Sequence, residues 1–389
     1  MLFKSERAVK AAWFGWVLLF IATAAIILVV GNTRSVVVNY RVAGMAWLNG
    51  EGLYDLSGVG GFTYLPQAAI LFIPFSLLPE IAGEVVWRAI NITVFVLGIR
   101  SITRLAAART VRELFPLATL VALPLAWDCA RNGQATLIMT GLMLLAVVDL
   151  ARERWWRSAL WLSLSVAVKP IAIVLPLLVM ALDRPMAWRV PAALAALALL
   201  PFAAQHPAYV GEQYAGFLHN TVTAAHVGAV DKGWTTPFNA LQLVGVLVPE
   251  RVQTGIRLAA AAGTLALCAI AHRRRDASAM GVYLYALAAT YLMLFSPRTE
   301  NNTYAMLGPA IAVFLAGAFL VEQRLREGVL LSCIALAIVS GRTIERMLTP
   351  HAGTSWVSPL MAACFAAYLL VTFFADRKDR TGEDRPAAA

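Results

Sequence analysis

The sequence is short of charge. Asp, Glu, Lys and Arg make up 14% of its 389 residues, where a soluble domain carries about 25%. Hydrophobic residues supply 60%, and the mean hydropathy is +0.71. These figures exclude a soluble globular protein and predict a chain that crosses a membrane several times. Segments of alternating polarity are missing as well, which excludes a transmembrane β-barrel. Cysteine is scarce. Cys129, Cys268, Cys333 and Cys364 form no CxxC pair, so neither a disulfide framework nor a thiolate metal site is expected. His206, His219 and His226 lack the spacing of an HExxH site. No Walker motif occurs. Gly58, Gly60 and Gly61 fall in a loop without the strand–turn–helix setting of a dinucleotide fold. The sequence therefore predicts no cofactor, and it leaves any metal requirement open. The net charge of +10 reads as the positive-inside signal of a membrane protein and not as a nucleic-acid footprint, so no nucleic-acid partner is expected.

What is present is a series of apolar runs punctuated by basic clusters. Lys4, Arg7 and Lys10 precede the run 11–30 and place the N-terminus in the cytoplasm. That run lacks a small-residue cleavage site and reads as a retained helix. The stretch 32–66 is then external. It is too long for a tight turn and carries Arg34, Arg41, Glu51 and Asp55. Segment 68–78, bracketed by Pro66, Pro74 and Pro79, is expected to be re-entrant or to lie on the surface. Residues 84–99 cross inward and 114–127 outward, 128–134 form a short outer turn, and 135–150 return.

The run 158–182 starts and ends at basic clusters, Arg152/Arg154/Arg157 and Arg184/Arg189. It must enter and leave by one face, with Lys169-Pro170 breaking it into two half-length helices. Further spans are expected at 187–202, 252–271, 279–295, 305–321, 328–340 and 357–374. The longest outer loop is 205–236, a second short re-entrant piece is 238–248, and 341–356 is again outside. The sum is an all-α bundle of about ten transmembrane helices plus short re-entrant or surface helices. It forms one membrane domain, 1–375, with a disordered cytoplasmic tail, 376–389, and both termini inside.

Ionisable groups at membrane depth are expensive and mark function by default. Lys169, on the break in SVAVKPIAIVLP, could hold a lipid phosphate; the alternative is a lysine snorkelling to the interface. Asp128, Arg131, Asn132 and Gln134 share the turn 128–134. There Asp128 could accept a proton from a sugar hydroxyl and the amides of Asn132 and Gln134 could bind hydroxyls. Alternatively Asp128 caps the next helix and pairs with Arg131. Arg298, Glu300, Asn301 and Asn302 share the turn 296–304, where Arg298 could clamp phosphate oxygens bidentately or simply pair with Glu300. Asp55, in GEGLYDLSG, could serve as a general base or as an Asx-type turn residue. Arg88 is expected to pair with Glu84, one helical turn back.

Four stretches, GEGLYD followed by GFTYLPQAAILFIPFSLLP (50–79), NGQATLIMTGLMLLA (132–146), VKPIAIVLPLL (168–178) and SPRTENNTYAMLGP (296–309), together resemble glycosyltransferase family 87. These are multispanning enzymes of the GT-C superfamily that include polyprenyl-phosphate-mannose-dependent mannosyltransferases. The resemblance implies inverting transfer of a mannose-like hexose or a pentose from a polyprenyl-phosphate donor to a glycolipid or glycan acceptor. The site would lie at the outer face of the cytoplasmic membrane and face the periplasm or cell exterior. Family members take their catalytic aspartate from the first outer loop; in this chain the residues themselves offer Asp55, Asp128 or Glu300 as the base, Lys169 and Arg298 for the donor phosphate, and Asn132, Gln134, Asn301 and Tyr64 for the substrates, with no metal ligand. Membrane lipid is the remaining expected partner. One departure stands out: the family commonly has an aspartate near the start of the first outer loop, where this chain has Ser35. Two other readings compete, a GT-C-fold membrane partner with altered catalysis and a lipid or sugar transporter or flippase. The candidate residues gather on one face and not along a path through the bilayer, which favours the enzyme.

The topology is open to a direct test. A cysteine placed at Gly211, in the predicted outer loop, is expected to react with an impermeant maleimide on intact cells. Reaction only after lysis would reverse the map.

Overall fold

A computed structural model describes residues 6–32, 34–54, 61–108, 110–226, 234–297, 299–349 and 355–382. The described chain is helical throughout. In order, the helices are α1 (Glu6–Val30), α2 (Val37–Asn49), α3 (Pro66–Ser76), α4 (Glu80–Ala106), α5 (Phe115–Asn132), α6 (Thr136–Ala151), α7 (Trp155–Val168), α8 (Val174–Leu182), α9 (Met186–Ala204), α10 (Pro207–His226), α11 (Pro237–Gln242), α12 (Glu250–Arg274), α13 (Ala277–Phe295), α14 (Gly308–Gly317), α15 (Leu325–Leu348) and α16 (Val357–Gly382). Short 3₁₀ turns, Pro170–Ile173 and Asn301–Leu307, lead into α8 and α14.

Local chemistry sets several boundaries. Proline opens α3, α10 and α11, where its fixed φ and missing N–H cost nothing. Asp276 caps α13 by accepting from the Ser278 and Ala279 amides at 3.0 Å each. Gly50 and Gly133 close α2 and α5 in the left-handed conformation, at φ 71° and 64°, which a side chain would resist.

Eight helices among the described residues are long and apolar enough to cross a membrane: α1, α4, α9, α12, α13, the run 301–322, α15 and the apolar part of α16. The protein is thus an all-α polytopic membrane protein. The two members of the expected bundle missing from that set are α5 and α6. The polar end Asp128, Arg131 and Asn132 makes α5 too polar, and α6 has only 16 residues. Both pack inside the bundle all the same. α13 is buried along most of its length, whereas α9 and α12 expose theirs, the pattern of central and lipid-facing helices. A second, aromatic-rich core lies where α2, α3 and α10 cover the bundle. It joins Tyr40, Trp47, Phe62, Tyr64 and Phe72 to Trp87 of α4 and Val210 of α10.

Several expectations need correction. Residues 128–132 continue α5, and only Gly133 to Ala135 form the turn, because Gly133 takes the left-handed C-cap conformation that stops the helix there. The stretch 32–66 contains α2, and the loop 205–236 contains α10. α10 is a surface helix whose Val210, Gln213 and Tyr214 face inward, so its apolar period is hidden among polar residues. α15 carries on through 341–348. The break at Lys169 is as expected: α7 ends at Val168, Lys169 is extended (φ −153°, ψ 109°), and a 3₁₀ turn starts at Pro170.

α4 and α6 cross at two glycines. A Cβ on Gly98 would lie 2.8 Å from the Gly141 carbonyl oxygen, and one on Gly141 would meet the backbone of Val94 and Phe95. Gly141→Val is expected to force the helices apart and cost about 1–3 kcal/mol, read as a lower melting temperature in detergent. Gly263→Val on α12, where nothing lies within 4 Å, should stay within about 0.5 kcal/mol of the parent.

Candidate functional site

The site is built around the α5–α6 turn. A helix end leaves its last carbonyls without partners; here those of Arg131 and Asn132, and the next two in the turn, are taken up from α4 and from the start of α2. The Arg131 oxygen accepts from Arg88 Nη2 at 2.7 Å. That of Asn132 accepts from the Val36 amide at 3.0 Å, that of Gly133 from Trp87 Nε1 at 2.7 Å and that of Gln134 from Asn91 Nδ2 at 2.7 Å. Asn91 Oδ1 also accepts from the Ile138 amide at 2.6 Å, and the Ala135 amide donates to the Tyr40 hydroxyl at 3.3 Å. Gly133 is compelled twice over. Its φ is positive, and a Cβ would strike Val37 and come within 3.2 Å of the Arg88 guanidinium.

The turn so held aims Gln134 at Glu300. Gln134 Nε2 donates to Glu300 Oε2 at 2.6 Å. Its Oε1 accepts from Thr136 Oγ1 at 3.4 Å, and Thr136 Oγ1 accepts from Lys169 Nζ at 2.8 Å. Lys169, Thr136, Gln134 and Glu300 therefore form one hydrogen-bonded row from the α7 break to the residue before the 3₁₀ turn Asn301–Leu307. Gln134 is buried, whereas Glu300 is exposed, so its carboxylate is fixed at one oxygen and open to an incoming group. Lys169 stands at the break, outside the long spanning helices. Burial pulls its ammonium below the ordinary lysine range, and the Glu300 carboxylate pulls it back up.

Tyr64 stands beside this row. Its hydroxyl is 3.0 Å from that of Tyr40. Burial pushes both phenols up, Tyr64 to about 12, and the negative charge of Glu300 adds to both shifts. The pair stays neutral and can donate a hydrogen bond to an oxygen. Cys129, on the last turns of α5, donates to the Asn302 carbonyl at 2.9 Å and ties α5 to the segment that carries Glu300.

Of the residues singled out from sequence, Gln134, Lys169, Glu300 and Tyr64 come together. Asn301 does not: its Oδ1 accepts from Ser358 at 2.7 Å, against the start of α16. Asp128 and Arg131 are half-buried on α5 and form no ion pair with each other, and Asp128 does not cap α6, whose N-cap is Ala135. Asn132 gives its carbonyl, not its amide, to the turn. Asp55 and Arg298 lie outside the described residues. The Glu84–Arg88 pair forms as expected and is fully buried. Ser35 joins it, donating to Glu84 Oε2 at 2.7 Å and accepting from Arg88 Nη2 at 3.2 Å. Sequence reasoning passed over Thr136, Tyr40, Trp87 and Asn91. Thr136 lies inside the stretch NGQAT. Asn91 is a lone amide in an apolar run, the kind of intramembrane polar residue that signals a partner.

Fold and site define a membrane-embedded protein with an acid and a cation joined across one end of its helical bundle. The model of glycosyltransferase family 87 matches residues 62–297, and the chain belongs to that family. It is a glycosyltransferase, with a sugar donor and an acceptor as substrates. Among curated proteins none matches the chain. The matched region takes in Tyr64, the α5–α6 turn and the Lys169 break, and ends shortly before Glu300.

The clamp on the turn makes a prediction. Asn91→Leu strips partners from the Gln134 carbonyl and the Ile138 amide, each worth about 1–3 kcal/mol when buried and unpaired. The expected outcome is a lowered melting temperature and faster hydrogen exchange at the Ile138 amide. Unchanged exchange there would mean that Asn91 does not hold the turn.

Proposed function

We propose that this glycosyltransferase moves a sugar, with inversion, from a polyprenyl-phosphate donor to an acceptor hydroxyl at the outer face of the cytoplasmic membrane, both chain termini being cytoplasmic. The observation that carries this reading is the Lys169–Thr136–Gln134–Glu300 row, which sets one cation and one carboxylate at a single place. An inverting displacement needs both. A base takes the proton of the attacking hydroxyl, and a cation stabilises the phosphate as it leaves C1 of the sugar. In this reading Glu300 is the base, because its carboxylate is exposed and steadied at one oxygen. Lys169, with Arg298 a few residues before the same turn, takes the donor phosphate. Tyr64 and Gln134 orient sugar hydroxyls. The expected acceptor is a glycolipid or glycan.

Purified protein supplied with polyprenyl-phosphate sugars and a membrane glycolipid extract tests the reading. Glu300→Gln is expected to lower the transfer rate by about 10²–10⁴-fold with little effect on donor binding, as removal of a general base does. Lys169→Ala should weaken donor binding as well as rate. Absence of any polyprenyl-phosphate binding by the parent protein would rule out the donor, and full activity in Glu300→Gln would rule out the base. The lowered pKa of Lys169 sets a sign for pH: its charge is lost at lower pH than that of an ordinary lysine, so donor affinity should fall on the alkaline side. Lys169→Arg, which stays charged, should remove that fall.

A further inference from the structure

The end of α6 away from Thr136 carries a second cluster that the transfer reaction does not use. α6 has 16 residues, so the two ends stand about 24 Å apart at ~1.5 Å per residue. There the beginnings of α7 and α9 meet through Trp156 and Trp188, whose rings pack edge to face at 5.1 Å. Both indoles are more than half exposed, at 53% and 54%. Arg189 lies over them, its guanidinium carbon 4.5 Å from the Trp188 ring centre and 5.7 Å from that of Trp156. It donates from Nη1 to the Pro185 carbonyl at 2.6 Å, and its Nε is buried with no hydrogen-bond partner.

No acid forms an ion pair with this cation among the described residues; Asp183, on the α8–α9 turn, is half-buried near His272 and Glu153. Asp149 is taken by Arg157 at 3.1 Å, by Arg154 at 3.6 Å and by Trp161 Nε1 at 3.0 Å. Glu153 is exposed, and neither it nor Arg152, Arg184 or Arg189 forms an ion pair among the described residues. Arg189 is thus a guanidinium fixed in direction by two rings and a carbonyl, with no ion-pair partner among the described residues, beside further arginines at one end of a membrane bundle.

We propose that this notch binds the headgroup phosphate of an anionic phospholipid, in the leaflet opposite the candidate catalytic site. Indoles of mixed exposure sit at the level of lipid headgroups, basic pockets between membrane helices take anionic headgroups, and a guanidinium matches phosphate oxygens. The lipid would cross-link the starts of α7 and α9, and so brace α7, the half-length helix that leads to the break at Lys169. This assignment is independent of the donor and of the transfer chemistry.

Native mass spectrometry of the full chain in detergent tests it, with phosphatidylglycerol, phosphatidylcholine and inorganic phosphate as separate probes. Retention of phosphatidylglycerol over phosphatidylcholine is expected. Arg189→Gln should weaken that retention about fivefold, the effect of one arginine near an anionic surface, while the charge-matched Arg346→Gln on α15 leaves it unchanged. Equal retention of the two lipids, an equal loss in Arg346→Gln, or saturable binding of inorganic phosphate that displaces the lipid would each overturn the proposal. Should Arg189→Gln fail to accumulate, Trp188→Leu, at an exposed position, carries the test. Undiminished retention of phosphatidylglycerol there would also overturn it.

Discussion

Everything at the candidate site depends on how one helix end is satisfied away from water. The last carbonyls of α5 have no partners within their own helix. At this depth an unpaired carbonyl is costly, so the bundle must supply donors. α4 does so with one stripe, Trp87, Arg88 and Asn91, and α2 adds a backbone amide and the Tyr40 hydroxyl. Each bond fixes one residue of the stretch 131–135. The consequence is that Gln134 has little choice of direction, and neither does the carboxylate it holds. The close crossing at Gly98 and Gly141 belongs to the same constraint, because donors on α4 reach the turn only if α4 and α6 lie in near backbone contact.

On that base the charges can be kept apart without being left alone. Lys169 and Glu300 do not form a direct ion pair. A hydroxyl and an amide stand between them. A direct buried pair would cancel both charges and hold them in place. The relayed arrangement keeps an ammonium and a carboxylate available and still gives each one ordered partner. Such an arrangement suits the proposed reaction, which needs a cation on one side and a base on the other.

Much of this was legible in the sequence, for definite reasons. The span pattern and the Lys169 break follow from length, proline and basic clusters, which act locally. The pairing of Glu84 with Arg88 follows from helical spacing. Gln134, Lys169 and Tyr64 were each visible as polar or aromatic residues in stretches shared with the family, and Glu300 stood just beyond them in a turn rich in polar residues. Their grouping was not, because hydrogen bonds that link residues 134 and 300, or 136 and 169, are set by packing between distant helices. α10 was missed because its inward residues include Gln213 and Tyr214, which read as polar but bond to the Leu53 amide and the Ala198 carbonyl. Asp128 looked like a turn residue because NGQ follows it closely, yet helix end and glycine conformation placed the stop at Gly133.

The departure at Ser35 has a physical counterpart. Its hydroxyl both donates to Glu84 and accepts from Arg88, and only a group with both capacities closes that three-way contact. An ionised aspartate can accept but cannot donate, and at this position it would bring a second negative charge against a fully buried carboxylate, which disfavours the ionised form of one or the other. The buried Glu84–Arg88 pair and an ionised acid at position 35 are therefore poor neighbours. Arg88, in turn, is the residue that holds the Arg131 carbonyl, so the pair cannot be given up without loosening the α5–α6 turn. The segment between α1 and α3 thus braces this turn, and the exposed carboxylate of Glu300 lies at the far end of the very row that the turn supports.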